Sequence, residues 1–252
     1  MEEFSPAIEV QDLRKVYRGR AAVDGLDLRV PRGCFFGFLG PNGAGKTTTI
    51  RMLMGLAPPT SGTIRLLGME MPAEAQAMKS RIGLVPEESL LFDRLTGGEF
   101  LEFVGRMYGL ARPTARERAQ ELLGLFALDE DPNKLISDYS KGMRKRASMA
   151  AALIHRPELL LLDEPFEGVD AVAARLMKDL LMNLVRQGAT IFLTSHVLEV
   201  VERLCDRVAI IHEGKLILEG TMDELRGGSE TLEDVFVRVV GAENAVEKLD
   251  WL

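Results

Sequence analysis

The pattern of hydrophobic and polar positions predicts strands in the first third of the chain. Cys34–Leu39 is continuously apolar, as expected of a strand that is buried on both faces. It leads into a glycine-rich loop and a predicted helix at 46–56, which the Pro-Pro-Thr-Ser-Gly run at 58–62 should end. Further strands bounded by turn-forming residues are predicted at 8–10, 26–30, 63–67 and 82–85.

From about residue 96 to residue 155 the sequence pattern predicts helices, with frequent Arg, Glu, Ala and Leu. Pro113 suits the first turn of a helix at 114–125. After Pro157 helices and strands alternate, which is typical of a mainly parallel sheet covered by helices. The predicted strands lie at 159–163, 190–194, 208–212 and 215–219, and the helices at 171–187 and 197–205.

The C-terminal part shows helical spacing of apolar residues after Gly227-Gly228. We expect this tail to pack against the core through one apolar stripe, with no separate function. The stripe comprises Leu232, Val235, Phe236, Val239 and Val240.

Composition narrows the choice of partners. The chain has 252 residues and a formal net charge of −7, and its notable basic cluster, Arg144-Lys145-Arg146, is short. This charge balance makes nucleic acid a poor candidate partner.

The two cysteines, Cys34 and Cys205, match no zinc or redox spacing and should be buried small hydrophobes. The N-terminus lacks the features of a signal peptide, and no apolar run approaches the ~20 residues that span a bilayer. Any membrane part is therefore expected on another chain.

The glycine-rich loop fits the phosphate-binding pattern GxxxxGK[ST] in full. Small residues let backbone N–H groups approach phosphate oxygens, and the following helix adds its positive end. Lys46 should reach the β- and γ-phosphates, and the Thr47 hydroxyl should hold Mg²⁺. The alternative is an ordinary glycine-rich turn. The predicted nucleotide contacts are Gly40, Pro41, Asn42, Gly43, Ala44, Gly45, Lys46, Thr47 and Thr48.

The base is predicted to be adenine. A guanine site would need an NKxD-type motif, and the nearest string, Asn133-Lys134-Leu135-Ile136, lacks the aspartate.

A second motif pair lies downstream of the loop. Tyr139-Ser140-Lys141-Gly142-Met143 is followed by four leucines and Asp163-Glu164-Pro165, and together they resemble the signature sequence and the Walker B strand of ABC (ATP-binding cassette) ATPases. The resemblance runs from about Tyr17 to His196. A weaker likeness at 232–236, with the SKGM-type signature, resembles the drug-exporter and ABC-2 branches.

The position of the acidic pair, Asp163 and Glu164, also has a physical interpretation. A buried strand that ends in two carboxylates places them where the sheet opens into a cleft, although a plain solvated turn is the alternative. Asp163 should bind Mg²⁺ through a water, because Mg²⁺ keeps part of its hydration shell. Glu164 should act as general base towards the water that attacks the γ-phosphate, or should orient that water.

The resemblance implies further roles. His196 matches the switch histidine at the γ-phosphate, and Tyr17 matches the aromatic residue that stacks on adenine; a surface histidine and a tyrosine packed on the sheet are the alternatives. Ser140 and Gly142 would bind the γ-phosphate held by a second subunit, so that two chains pair head to tail, or they merely begin a helix. Asp170 matches the loop that crosses this interface.

Some positions depart from the family pattern. Glu87 stands where a glutamine is usual, and it could still ligate Mg²⁺ or its water through a carboxylate oxygen. The signature reads Ser-Lys-Gly-Met in place of the more familiar Ser-Gly-Gly-Gln. Because Glu164 and His196 are both present, we predict a site competent for hydrolysis.

These observations predict an α/β fold: a P-loop NTPase core with a mainly parallel sheet, an antiparallel β subdomain and an inserted helical subdomain. The ATPase domain is predicted at 1–228, with its helical subdomain at about 90–156 and a helical tail at 229–252. Leu90-Leu91-Phe92 cannot all point inward, so one or more should be exposed, either for the coupling helix of a membrane subunit or as a satellite core contact.

The predicted function is that of an ATP-hydrolysing transporter subunit, with export favoured by the branch likeness. It would use ATP and Mg²⁺, pair with a second nucleotide-binding domain, and drive separately encoded membrane permease subunits from the cytoplasmic face of the cell membrane. A soluble ATPase that serves a cytosolic assembly, such as an iron–sulfur-cluster factor, is the alternative. A DNA-repair or translation role is disfavoured by the acidic charge.

Overall fold

The computed structural model describes residues 5–227 and 230–241. Its strands form a four-stranded sheet and a six-stranded sheet. The strands are β1 Ile8–Tyr17, β2 Arg20–Val30, β3 Phe35–Leu39, β4 Ser61–Leu66, β5 Met69–Glu70, β6 Ile82–Val85, β7 Leu159–Asp163, β8 Thr190–Ser195, β9 Arg207–His212 and β10 Lys215–Thr221. The helices are α1 Lys46–Leu53, α2 Ala75–Lys79, α3 Gly97–Met107, α4 Arg112–Leu125, α5 Lys141–Leu153, α6 Ala171–Arg186, α7 Leu198–Leu204, α8 Met222–Arg226 and α9 Leu232–Val240.

The six-stranded sheet carries the carboxyl ends at which the predicted site residues lie. Its order is β10-β9-β3-β8-β7-β6, and every neighbouring pair is parallel except β10 with β9. All residues of β3, β7 and β8 are buried, as expected of strands covered on both faces. The predicted α/β fold with a mainly parallel sheet is confirmed.

The four-stranded sheet is antiparallel, in the order β2-β1-β4-β5. β1 and β2 run to Tyr17 and from Arg20, much further than the predicted strands at 8–10 and 26–30. The added part of β1 is mostly polar and exposed, and that of β2 is a mixture of polar, small and apolar residues, so neither carries a continuous apolar signal. Their position was decided by pairing between the strands and not by burial of their own side chains.

Alternate side chains of β3 enter different cores on the two faces of the large sheet. Phe35 and Leu39 pack in a cluster with the helical segment, whereas Phe36 and Phe38 pack against the antiparallel sheet. The two cysteines are free and buried, as predicted, and they belong to different clusters. The strand that leads into the glycine-rich loop is thus held from both sides.

The helical segment between β6 and β7 is held together by caps and arginine side chains. Thr96 and Glu99 form a reciprocal capping box at the start of α3. Arg118 donates to the carbonyl of Ile154, and Arg146 donates to that of Phe126, each at the end of a helix. These contacts fix α5 within the segment, and α5 begins at the signature sequence.

The first predicted helix is shorter in the structure. α1 ends at Leu53 and not at residue 56, because Gly55 has a left-handed backbone (φ 66°) before the prolines are reached. The C-terminal stripe is confirmed as core packing, since Leu232 and Val235 of α9 are buried. The predicted tail residues 242–252 lie outside the described residues. The domain boundaries stay a prediction.

No helix within 5–227 and 230–241 combines the length and the apolar character that crossing a bilayer requires.

Gly83 on β6 gives a test of how closely α5 packs on the sheet. A Cβ there would overlap the carbonyl oxygen of Ala152 and lie 2.8 Å from Cδ2 of Leu160. We expect Gly83→Ala to lower the free energy of unfolding by about 1–3 kcal/mol, since neither buried neighbour has room to move. The control is Gly98→Ala in α3, whose Cβ would meet only Leu123 Cδ1 at 3.7 Å. Urea unfolding followed by circular dichroism measures the stability of both variants. An equal loss of stability in both would contradict close packing of α5 on β6.

Candidate functional site

The glycine-rich loop joins β3 to α1 and lies pressed against neighbouring backbone. A Cβ on Gly40 would overlap the carbonyl oxygen of Ile211, and one on Gly45 would come within 2.5 Å of the carbonyl oxygen of Ala22. Gly45 also has a φ of 113°, which side-chain-bearing residues rarely adopt. Gly43, by contrast, faces open space. The loop is therefore closed on its inner side and accessible on its outer side, as a phosphate cradle requires.

Lys46 lies inside this loop. Its side chain is buried, and Nζ donates to the carbonyl oxygen of Gly40 at 2.7 Å and to that of Pro41 at 3.3 Å. Burial lowers the pKa of Lys46, and the carboxylates of Glu164, Asp163 and Glu87 oppose that shift. All three carboxylates act electrostatically on the ammonium group, which places the loop and the acidic pair at one cleft.

Asp163 ends β7 and is almost fully buried at 2 % exposure. The hydroxyl of Thr194 donates a hydrogen bond to its Oδ1. Thr194 lies directly opposite Asp163 in the parallel register of β7 and β8. This residue was missed by the sequence analysis, because only the strand pairing brings it to the carboxylate.

Glu164 follows at the rim of the cleft in an unusual backbone conformation. Its φ is 46°, a region that costs a non-glycine residue about 1–3 kcal/mol and that is over-represented at functional sites. The side chain is 9 % exposed, and Oε1 lies 2.9 Å from Nδ1 of His196. The backbone N–H of Glu164 donates to the carbonyl of Thr194 at 3.2 Å. The strained conformation thus turns this carboxylate away from the strand and towards the histidine.

Thr47 and Glu87 supply the remaining oxygen atoms of the cleft. The Thr47 hydroxyl lies 3.4 Å from Oε2 of Glu87. Together with the Asp163 carboxylate, they form a set of hard oxygen donors beside a polyphosphate cradle, which is the kind of ligand set that Mg²⁺ prefers. The residues present therefore fit the metal that the resemblance implies. Thr48, the next residue of α1, is half-buried.

Tyr17 is the last residue of β1 and is 45 % exposed, with Nζ of Lys15 4.9 Å from its ring centroid. The residue before it, Val16, pairs with Ala21 of β2, next to the Ala22 carbonyl that touches the loop at Gly45. The ring is therefore carried by the strand pair that borders the phosphate loop, and it is not packed into a core.

The signature residues begin α5. Ser140 is the N-cap, and its hydroxyl accepts a hydrogen bond from the N–H of Met143 at 3.2 Å. A Cβ on Gly142 would lie 3.0 Å from the carbonyl oxygen of Gly168. Among the described residues no hydrogen bond joins Ser140 to the phosphate loop of the same chain.

Asp170 caps α6, accepting hydrogen bonds from the N–H groups of Val172 at 3.1 Å and Ala173 at 3.0 Å. The hydrogen bond from Ala173 is the main cause that lowers the pKa of this carboxyl group. Its observed contacts are thus those of a helix cap, directly after the loop that meets the signature at Gly142.

The contacts of three basic residues of α5 were not predicted from the sequence. Lys141 Nζ lies 2.7 Å from Glu167 Oε1, and Arg144 lies 2.7 Å from Asp93 Oδ1. Lys145 is 2 % exposed and donates to the main-chain carbonyls of Pro86 and Glu87. Burial is the main cause that lowers its pKa. The available signal was helical spacing, since Ser148, Met149 and Ala152 line the same buried face.

The structure therefore brings most of the predicted residues into one cleft and leaves the signature outside it. The cleft combines a phosphate cradle, a buried cation, oxygen ligands and a glutamate–histidine pair, which suits transfer of a phosphoryl group to water. The residues in the cleft are Gly40, Lys46, Thr47, Glu87, Asp163, Glu164 and His196.

Comparison with known proteins gives a family match and close relatives. The model of a family described as "ABC transporter" matches residues 23–167. The daunorubicin/doxorubicin resistance ATP-binding protein DrrA of Streptomyces peucetius is 44 % identical over 228 residues, covering 90 % of this chain and 69 % of that protein. The Nod factor export ATP-binding protein I of Ralstonia nicotianae is 42 % identical over 221 residues, covering 88 % of this chain and 69 % of that protein.

A solved structure shows the same architecture. The ATP-binding subunit of an ABC transporter superposes with a TM-score of 0.87 at 30 % sequence identity, over 92 % of this chain and 99 % of that chain. The match extends well beyond the motifs, so the fold as a whole is shared.

Proposed function

From the premise that this chain belongs to the ABC transporter family and is an ATP-hydrolysing subunit, we propose that two such domains pair head to tail around ATP. Their closing and opening would drive a separately encoded membrane subunit. The observation that carries the catalytic part is the Glu164 carboxylate held 2.9 Å from His196 at the mouth of the phosphate cleft.

In the proposed mechanism Glu164 accepts a proton from the attacking water. The water oxygen bonds to the γ-phosphorus while the bridging P–O bond to ADP breaks, and ADP and phosphate are the products. His196 holds Glu164 in place and steadies the γ-phosphate. Because Glu164 is nearly buried, its carboxylate is poorly solvated and its orientation is set by that histidine contact.

The rest of the cleft binds and positions the nucleotide. Lys46 neutralises phosphate charge, and the loop N–H groups donate to phosphate oxygens. Tyr17 stacks on the adenine. We propose that Thr47, Asp163 and Glu87 hold Mg²⁺, which would neutralise phosphate charge and keep the β- and γ-phosphates aligned.

We propose that the signature serves the nucleotide of the partner subunit. Two features support this: Ser140, the N-cap of α5, is exposed, with Gly142 in the first turn, and no hydrogen bond of the described residues ties Ser140 to the chain's own phosphate loop. Gly142 and the loop that ends at Asp170 lie side by side, so a partner that meets the signature also meets that loop.

The membrane partner is proposed to dock beside the lid loop, the segment at residues 86–93. Leu90 is 85 % exposed and Phe92 is 54 % exposed, whereas Leu91 packs against the core. The ring of Phe92 meets that of Phe103 edge to face at 5.4 Å, and Met107 is exposed one turn further along α3. The exposed apolar surface therefore extends from the loop onto α3, which suits a short helix of a membrane protein. Export is proposed from the names of the two relatives.

The double variant Leu90→Ser and Phe92→Ser tests this docking. We expect the adjacent open reading frame to encode a polytopic membrane protein. Co-expressed with that protein, the wild-type chain should fractionate with membranes, and the double variant should remain in the supernatant. Leu56→Ser is the matched control, because Leu56 is an exposed leucine (65 %) that follows α1 and is not part of the lid loop. ATP hydrolysis by the isolated variant should be unchanged.

The alternative function predicts a different distribution. A wild-type chain that stays in the supernatant beside its expressed neighbour contradicts the membrane partner and supports an ATPase that serves a cytosolic assembly. Equal loss of membrane binding in the double variant and in Leu56→Ser contradicts this docking surface.

A further inference from the structure

Lys145 is a buried lysine that has no carboxylate within ion-pair distance among the described residues. It is 2 % exposed, and its Nζ donates to the carbonyl oxygen of Pro86 at 3.1 Å and to that of Glu87 at 2.7 Å. Burying an ammonium group is costly unless hydrogen bonds compensate. Here the compensation comes from two consecutive main-chain carbonyls of the lid loop, so the lysine holds the backbone of that loop.

The held backbone belongs to a residue of the proposed magnesium site. The Glu87 carboxylate lies 3.4 Å from the Thr47 hydroxyl, while the Glu87 carbonyl accepts from Lys145. A shift of the loop backbone would therefore move the carboxylate relative to Thr47. Positions of catalytic oxygens matter within about 1 Å, which can change a rate about 100-fold.

The same helix, α5, also contacts the C-terminal end of the lid loop, and the signature lies at its start. Arg144, the residue before Lys145, lies 2.7 Å from Asp93 at the end of the lid loop and donates to the Ile136 carbonyl at 3.0 Å. Ser140 is the N-cap of this helix. One rigid element thus carries the signature at its start and holds both ends of the lid loop one turn later.

We propose that Lys145 is a positioning residue that locks the lid loop to the signature helix, so that the Glu87 carboxylate stands at Thr47 only while this helix is in place. When the partner's nucleotide binds the signature, it then changes the geometry of the chain's own magnesium site. Binding of Mg²⁺ at that site changes the position of the signature in the same way. The inference rests on the proposed role of Glu87, and it adds a route between the two nucleotide sites through a single side chain.

Lys145→Met tests the proposal, because methionine keeps the length of the side chain and removes its donors. The variant should fold, since the loss of two hydrogen bonds to lid-loop carbonyls is offset by the removal of a buried charge. We expect kcat to fall about tenfold and the Mg²⁺ concentration for half-maximal activity to rise by a similar factor, with KM for ATP nearly unchanged. Lys145→Arg, which keeps the donors, should recover most of the activity.

Two further measurements separate positioning from general damage. In nucleotide-free protein, amide hydrogen exchange at 87–93 should become about tenfold faster in Lys145→Met, with no change in the sheet. In a Glu87→Ala background, Lys145→Met should shift the Mg²⁺ requirement no further, because the carboxylate that it positions is gone.

The proposal is overturned if Lys145→Met matches wild type in Mg²⁺ requirement and in exchange at 87–93, or if its effect adds fully to that of Glu87→Ala. A wild-type chain that does not hydrolyse Mg-ATP overturns the magnesium-site proposal itself, so the two failures are distinguishable.

Discussion

Glu164→Gln should abolish ATP turnover while ATP binding survives. The amide keeps the size of the side chain and can still contact His196, but it cannot accept a proton from the attacking water. Loss of a general base costs about 10²–10⁴ in rate, and we expect kcat to fall at least about 100-fold. Phosphate release measured at saturating Mg-ATP checks this result.

The same variant should accumulate as a dimer in the presence of ATP. In the proposed cycle hydrolysis reopens the pair, so a subunit that binds ATP without cleaving it remains closed. Light scattering after size-exclusion chromatography should show the dimer with ATP and the monomer without it. A Glu164→Gln variant that stays monomeric in saturating ATP contradicts the head-to-tail proposal, even if its turnover is lost.

Glu213→Gln is the matched control for this experiment. Glu213 also has a left-handed backbone, with φ 47° against 46° for Glu164, and its side chain is exposed in the turn between β9 and β10. The change of an acid to an amide in the same backbone conformation should leave turnover intact. Equal loss in both variants would point to a general effect of charge or folding and not to a base at residue 164.

Lys46→Met should remove ATP binding without unfolding the protein. The ammonium group is expected to make charge-assisted hydrogen bonds to phosphate oxygens, each worth about 1.5–3 kcal/mol, so its loss should weaken ATP binding about 100-fold. Folding should be little affected, because burial disfavours the charged form of this lysine, and removing that charge offsets the loss of its two hydrogen bonds to loop carbonyls. Isothermal titration calorimetry and thermal unfolding measure the two quantities.

Lys79→Met is the control, since Lys79 lies in α2 and is not one of the cleft residues, and this variant should bind ATP as wild type does. Retained ATP affinity in Lys46→Met would mean that the loop N–H groups alone hold the phosphates. A large drop in unfolding temperature in Lys46→Met would show that the hydrogen bonds to the Gly40 and Pro41 carbonyls are needed for the loop to fold.

Much of the fold and of the candidate site could be predicted because the signals are local. Strands 159–163 and 82–85 were predicted with the bounds that the structure shows, because a short apolar run between turn-forming residues is typical of a buried strand. Strands β1 and β2 were predicted too short, because the added part of β1 is mostly exposed and polar and that of β2 has no continuous apolar run. The pairing partner, which no local pattern reveals, sets their length.

Residues that act through distant partners were harder to find. Thr194 reaches Asp163 across 31 residues of chain, and Lys145 reaches Glu87 across 58. A threonine in a buried strand and a lysine in a basic cluster each have ordinary explanations when read alone. Only the register of β7 with β8 and the buried face of α5 give them their contacts.

By itself the sequence determined that this protein has a phosphate loop and an acidic strand end, since a left-handed glycine, a lysine and a hydroxyl at fixed spacing already specify the local backbone and its chemistry. The tertiary structure decided which groups meet across that cleft. It set Glu164 in a strained conformation against His196 and placed the signature helix so that Lys145 holds the lid loop. The physical reason is that hydrogen bonds between distant segments depend on strand order and helix packing, which follow from burial of the whole core.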